Sequence, residues 1–288
     1  MDGSRPVRLS ALRPVIPAPV SAPATSRPRA YPSGEFTVTV LEQGPDRGYA
    51  RAVPVTLPGD CPRCRGQGLV EVEGRWGRCR TCCRPLDQAR AFNAARIPAR
   101  YGACDLRAWA PQPVQRAPWQ ASILPWIEEI EDNRRPTLTA MPGLLLYGPP
   151  GRGKTHLAVG IVRRLLLDGR RIGKPLSARY VEPNQLLQAM KSRMGGERGG
   201  EAPLAMSALV DVDVLLIDDL IAPRTEFETS VIDELITRRW QRGGPTLITT
   251  NLSEDALSNL SPRVSSRLTD ARWVPLSGAD RRDHRGGA

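Results

Sequence analysis

The chain has 288 residues, 40% of them hydrophobic and 25% charged, with a formal net charge of +11. That is length enough for one or two domains with a sizeable core, in an ordinary soluble globular composition. There is no apolar run fit to span a bilayer and no export-type stretch in the N-terminal residues, so membrane and secreted classes are set aside, a cytoplasmic protein is expected, and the positive charge favours an acidic partner, nucleic acid first.

Residues 1–58 are rich in Pro, Arg, Ala and Ser. Such a stretch buries too little apolar surface to offset the entropy of ordering, so a mostly disordered tail is expected. Within it, Glu35–Gln43 alternates and predicts one strand.

Residues 59–90 hold the pairs Cys61-Pro-Arg-Cys64 and Cys79-Arg-Thr-Cys82. In a reducing compartment this spacing points to metal rather than disulfides, and four thiolates suit tetrahedral Zn²⁺. Gly66, Gly68, Gly74 and Gly77 supply turns, which predicts a zinc ribbon whose folding energy is its metal binding. Cys83 is the alternative to Cys82 as fourth ligand, and Cys104 lies apart as a buried thiol. Arg63, Arg65, Arg75, Arg78, Arg80 and Trp76 offer a nucleic-acid contact, with solubility the plainer reading of the arginines.

Residues 91–136 read as a helical connector in which Ile123, Trp126, Ile127 and Ile130 share one face. From 137 to 276, buried strands alternate with amphipathic helices, the pattern of an α/β fold with a parallel sheet covered on both sides. The strands are Gly143–Gly148, "DVDVLLIDDL" and "PTLITTN". The helices are "THLAVGIVRRLLLDG", ended by Gly169, and "TEFETSVIDELITRRWQRGG", where Thr225 and Glu228 stand at capping-box spacing. "SPRVSSRL" adds a helix with Ser261 as N-cap and Pro262 at its first position. Residues 277–288 read as a loose, disordered tail.

The first strand runs into Gly148-Pro149-Pro150-Gly151-Arg152-Gly153-Lys154-Thr155-His156. This is a phosphate-binding loop in its required place between strand and helix. The glycines let N–H groups turn inward around the phosphates of a nucleotide, which the resemblance below makes ATP. Lys154 reaches the β- and γ-phosphates, and the Thr155 hydroxyl holds Mg²⁺. Asp218, at the end of "VLLIDD", fits the second Mg²⁺-positioning group, and Asp219 fits the base that orients or deprotonates water. Asn251, at the next strand tip, is placed to contact the γ-phosphate or the water; helix capping is its alternative. Arg263 and Arg267 share a helix face and could act in trans on a neighbour's γ-phosphate, or simply be solvated.

Taken in order, these motifs resemble the DnaC/IstB-like family of AAA+ ATPases, bacterial and phage helicase loaders and transposition helpers, over roughly Ile97–Leu276. "IPARYGACDL" resembles the segment before the ATPase core, "LLLYGPPGRGKTHLA" Walker A, "LLIDDL" Walker B, "PTLITTNLS" the sensor 1 strand and "RVSSRL" the arginine-finger helix. The resemblance implies an AAA+ P-loop core without a full lid, favours Arg267 over Arg263 as the finger, and implies self-association through that face. It also implies that the zinc module, similar to that of DnaI-type loaders, engages a helicase. Lys191, Arg193 and Arg198 are the core's candidates for a basic groove on single-stranded DNA, near the place where initiator-type AAA+ proteins carry a DNA-touching helical insertion; a solvated helix end is their alternative. Ile221 stands where the family often has Gly, and Asp218-Asp219 where many AAA+ proteins have Asp-Glu. The expected function is ATP-dependent loading of a replicative helicase hexamer onto single-stranded DNA. A transposition helper that directs a transposase, and an adaptor with negligible turnover, are the alternatives.

Overall fold

The computed structural model describes residues 29–33, 36–40, 48–55, 58–132, 142–168, 176–194 and 205–281. Strands β1 (Arg29–Ser33), β2 (Phe36–Val40) and β3 (Ala50–Pro54) form an antiparallel sheet in chain order. Phe36, Val38, Ala50 and Ala52 alternate inward along β2 and β3 and join the core. They pack beside Phe92 of helix α1 (Cys83–Ala94). Asn93 of α1 serves the sheet as a strand neighbour would: the Ala52 N–H donates to its Oδ1 at 2.7 Å and its Nδ2 donates to the Ala52 carbonyl at 3.2 Å. The strand expected within Glu35–Gln43 is therefore present at Phe36–Val40, but the expected disorder gives way to a sheet from residue 29. Its apolar cover comes from α1, which is remote in sequence, so the local composition concealed it. Residues 1–28 and 41–47 of the expected tail lie outside the described residues.

The cysteine pairs flank a hairpin, β4 (Leu69–Val72) and β5 (Arg75–Arg78). Its two-residue turn, Glu73-Gly74, has φ of +51° and +73°, the positive pair that matches hairpin twist. The second cysteine pair runs directly into α1, so the expected ribbon–connector border near residue 90 falls inside a helix. The connector continues as α2 (Pro113–Pro118), a wider turn over Trp119–Ile123, and α3 (Leu124–Glu131). Ile123, Trp126, Ile127 and Ile130 are fully buried, as their spacing predicts.

The main sheet has five parallel strands in the order β10 (Arg272–Pro275), β6 (Leu144–Tyr147), β9 (Thr246–Thr250), β8 (Val214–Leu220), β7 (Ala178–Val181). Strand alternation divides the core. Leu144, Leu146, Leu216 and Leu247 face α4 (Lys154–Arg163), while Leu145, Leu215, Ile217 and Ile248 face the other layer. That layer includes α5 (Pro183–Met194), α6 (Met206–Val210), α7 (Glu226–Arg242), α8 (Glu254–Ser258) and α9 (Pro262–Leu268). β7 and β10 escape sequence reading because each is four residues long and carries an arginine, inside β7 and at the start of β10.

Helix α4 continues in a wider turn to Asp168; Gly169 lies outside the described residues. The α7 cap is half a capping box. The Glu228 N–H donates to Thr225 Oγ1 at 3.2 Å, but the Glu228 carboxylate receives the Arg224 N–H instead of the Thr225 N–H. Residues 277–281 are packed, contrary to the expected loose tail, and 282–288 lie outside the described residues. Among the described residues, no helix is long and apolar enough to cross a membrane.

Candidate functional site

Gly148, Gly151 and Gly153 hold φ of +132°, +78° and +86°. A side chain is strained in that region, so glycine is what lets the loop from β6 to α4 curl around an anion. Pro149, Pro150 and Arg152 fill the turn between them, and His156 lies in the first turn of α4. Lys154 is buried and held inside its own loop. Its Nζ donates to the carbonyls of Gly148 at 2.7 Å and Pro149 at 2.8 Å, and to Asn251 Oδ1 at 2.7 Å.

Asp218 is buried at the end of β8 and surrounded by donors. Its Oδ1 accepts from Thr155 Oγ1 at 2.8 Å and Thr249 Oγ1 at 2.6 Å, and the Tyr180 hydroxyl lies 2.8 Å from its Oδ2. The Thr155–Asp218 oxygen pair is the set that would hold Mg²⁺ beside bound phosphates, where the ion would neutralise developing charge. The Tyr180 hydroxyl is also 2.7 Å from Glu182 Oε1, so one phenolic proton stands between two carboxylates. Burial, and then the charge of Asp218, push the Tyr180 phenol upward, so it stays a donor. Arg100 pairs with Glu182 on the outer side. Tyr180, Glu182, Arg100 and Thr249 belong to this network, and no sequence motif singled them out.

Asp219 sits within a register shift between β8 and β9 and has φ +57°, the left-handed region that Asp tolerates better than most residues. The turn leaves its side chain exposed. Its Oδ1 accepts from Asn251 Nδ2 at 2.8 Å, so Asn251 links Lys154 to Asp219. The cap of α8 is Ser253, which leaves Asn251 out of helix capping. A cavity of about 460 Å³ is lined by Lys154, Thr155, Asp218, Asp219 and Asn251, with Arg100, Tyr101 and Arg281 also on its wall. It holds a cation, backbone donors, a metal-type oxygen pair and a carboxylate positioned beyond them, the parts phosphoryl chemistry uses.

Arg267 lies elsewhere. It lines a second cavity, about 590 Å³, together with Gly143, Thr246 and Trp240. Gly143 and Thr246 mark the starting edge of the sheet, whereas Lys154 and Asn251 lie beyond the strand ends. Arg267 therefore does not join its own chain's phosphate site. Its Nη1 donates to the Arg263 carbonyl at 2.7 Å and its guanidinium lies 5.4 Å over the Trp240 ring. Arg263 is exposed on the same helix.

Cys61, Cys64, Cys79 and Cys82 are buried together, with their sulfurs within 4.8 Å of one another. The Cys61–Cys79 and Cys64–Cys82 separations are 3.7 and 3.5 Å. A tetrahedron with metal–sulfur bonds of about 2.3 Å has sulfurs about 3.8 Å apart, so the set fits one soft divalent ion. Cys83 Sγ donates to the Gly68 carbonyl at 3.3 Å, outside that set. Arg63, Arg65, Arg75 and Arg80 are exposed around the cluster with Trp76, while Arg78 pairs with Asp87 at 2.8 Å. Lys191 lies 3.7 Å from Glu228. The Arg193 side chain and Arg198 lie outside the described residues.

Residues 139–266 match the family described as IstB-like ATP binding protein. The replicative helicase loader DnaC of Escherichia coli strain K12 is 25% identical over 195 residues, covering 66% of this chain and 74% of that protein. An insertion sequence ATP-binding protein of Sinorhizobium fredii is 37% identical over 100 residues, 34% of this chain and 30% of that protein. The crystal structure of the DnaC helicase loader superposes with a TM-score of 0.50 at 24% identity, covering 62% of this chain and 99% of that one, and shares the fold. Residues 139–266 thus match an IstB-like ATP-binding domain and are similar to the helicase loader DnaC.

Proposed function

We propose that this protein is a cytoplasmic ATPase that loads a replicative helicase onto single-stranded DNA. Its own residues give the cycle a physical form. Lys154 exchanges its loop carbonyls and Asn251 for the phosphates. Asn251 then reports the γ-phosphate to Asp219, which orients and deprotonates water. Thr155 and Asp218 hold Mg²⁺. Arg267 of one copy completes the site of the next, so assembly and hydrolysis are coupled. The four-cysteine module holds Zn²⁺ and engages the helicase.

The observation that carries this reading over its rivals is the metal-type cysteine module that precedes the phosphate-loop cavity in the chain. It is a separate partner-binding surface, and the similarity to DnaC extends over 74% of that loader against 30% of the insertion sequence protein. A transposition helper is the second reading, favoured by the IstB-like match itself.

The test is to mix the protein with the hexameric helicase of the same genome and single-stranded DNA, with ATP or ADP, and to weigh the complexes. A helicase-containing complex that forms with ATP and dissociates with ADP supports loading. Filaments on duplex DNA that ignore the helicase would mean a transposition helper.

A further inference from the structure

The segment after β10 stays on the fold. Gln115 of α2 is fully buried and uses both ends of its amide. Its Nε2 donates to the Ser277 carbonyl at 2.8 Å and to the Arg152 carbonyl at 3.3 Å. Its Oε1 accepts from the Gln112 N–H at 3.1 Å and the Arg281 guanidinium at 2.9 Å. Gln112 brackets the Ala279 backbone, donating to its carbonyl at 3.0 Å and accepting from its N–H at 2.7 Å. The Arg281 N–H donates to the Gly151 carbonyl at 2.9 Å, and a side chain on Gly151 would collide with the Asp280 carboxylate. Residues Ser277–Arg281 therefore form a strap along the phosphate loop.

Two successive carbonyls of the loop, those of Gly151 and Arg152, are thus held by groups outside it. A trans peptide sets its C=O and its N–H on opposite sides. Tying these carbonyls to the strap and to Gln115 therefore turns the N–H groups of Arg152 and Gly153 away from both. Neither N–H has an acceptor among the described residues. The tie acts where the backbone is freest: Gly151 and Gly153 both stand at positive φ, and glycine has the most conformational freedom to lose. Fixing such a loop before its ligand arrives lowers the ordering cost of binding.

We propose that Gln115 and the Ser277–Arg281 strap are positioning groups for phosphate binding. They hold the Gly151 and Arg152 carbonyls so that the Arg152 and Gly153 N–H groups are preset for the phosphates. The inference rests on the reading of Gly148–Thr155 as the phosphate loop. It assigns a buried glutamine of the connector and the backbone of the C-terminal segment to that loop's function, although neither touches the ligand. A brace of this kind acts on the phosphates alone and is indifferent to what they are attached to.

The test is titration calorimetry of the full chain with two probes, ATP and inorganic tripolyphosphate, both with magnesium. Gln115→Met keeps the volume and removes the amide. It should weaken both probes by the same factor, about tenfold, the worth of one loop hydrogen bond. Arg281→Pro removes the N–H that reaches Gly151 while Gln115 keeps its own two donations, and should weaken both probes in the same way. A thermal melt shows that each variant folds. In steady-state turnover both should raise KM for ATP and hold kcat, because backbone donors serve ground state and transition state alike. Unchanged tripolyphosphate affinity in either folded variant would overturn the proposal, as would a loss confined to ATP or to kcat. Lys154→Ala should weaken both probes; if it weakens neither, the phosphate-loop reading fails instead.

Discussion

Lys154 rests on three acceptors that belong to the protein, so nucleotide binding replaces existing hydrogen bonds instead of filling a void. Removing the ammonium takes away the cation proposed for the γ-phosphate. Lys154→Ala should weaken ATP binding by about tenfold to a hundredfold, the range of a charged hydrogen bond, read by calorimetry. Asp219→Asn keeps size and a polar contact to Asn251 but removes the carboxylate proposed as the base. ATP binding should persist while turnover falls about a hundredfold or more in a phosphate-release assay. Undiminished turnover would take Asp219 out of the chemistry. At this scale the sequence was informative wherever chemistry is encoded locally: three glycines, Lys154 and Thr155 lie within one loop, and Asp218 and Asp219 end one apolar run. Tyr180, Glu182, Arg100 and Thr249 were not legible. Strand order, not spacing, brings Tyr180 and Thr249 to Asp218, and Glu182 and Arg100 join through Tyr180.

Elements are joined here by side chains that stand in for backbone. Arg239 of α7 is buried and donates to the carbonyls of Val210 at 2.8 Å, Val212 at 2.6 Å and Pro245 at 2.9 Å. Burial, reinforced by nearby Arg242, pushes its guanidinium down to about 10, still charged at neutral pH. Arg239→Ala would strand those carbonyls and should cost about 3 kcal/mol or more in denaturant unfolding. Asn93 and Gln115 do the same for β3 and for the strap, which is why a Pro-rich tail and a polar C-terminal stretch both fold where composition predicted disorder. The cysteine module has almost no core beyond its four thiols and Val70. A strong chelator should unfold it, seen as loss of protection of Leu69–Arg78 amides in hydrogen exchange, while ATP affinity at the separate phosphate loop holds. Loss of ATP binding together with the metal would mean that the two units fold as one.

Over the whole molecule, the decisive feature is that the phosphate site and Arg267 occupy opposite ends of the parallel sheet. A head-to-tail contact between copies places one end against the other, and such a contact repeats into rings or helices. The order of motifs along the chain was legible, but their separation in space was not, because it depends on β10 pairing with β6 from the far end of the sequence. The most direct measurement is ATP turnover in an equal mixture of Lys154→Ala and Arg267→Ala on single-stranded DNA and helicase. Each variant alone should be inactive. Random pairing should restore about a quarter of the wild-type rate, because one copy supplies the intact phosphate loop and its neighbour the arginine. No recovery, with both variants still assembling, would contradict a site completed in trans.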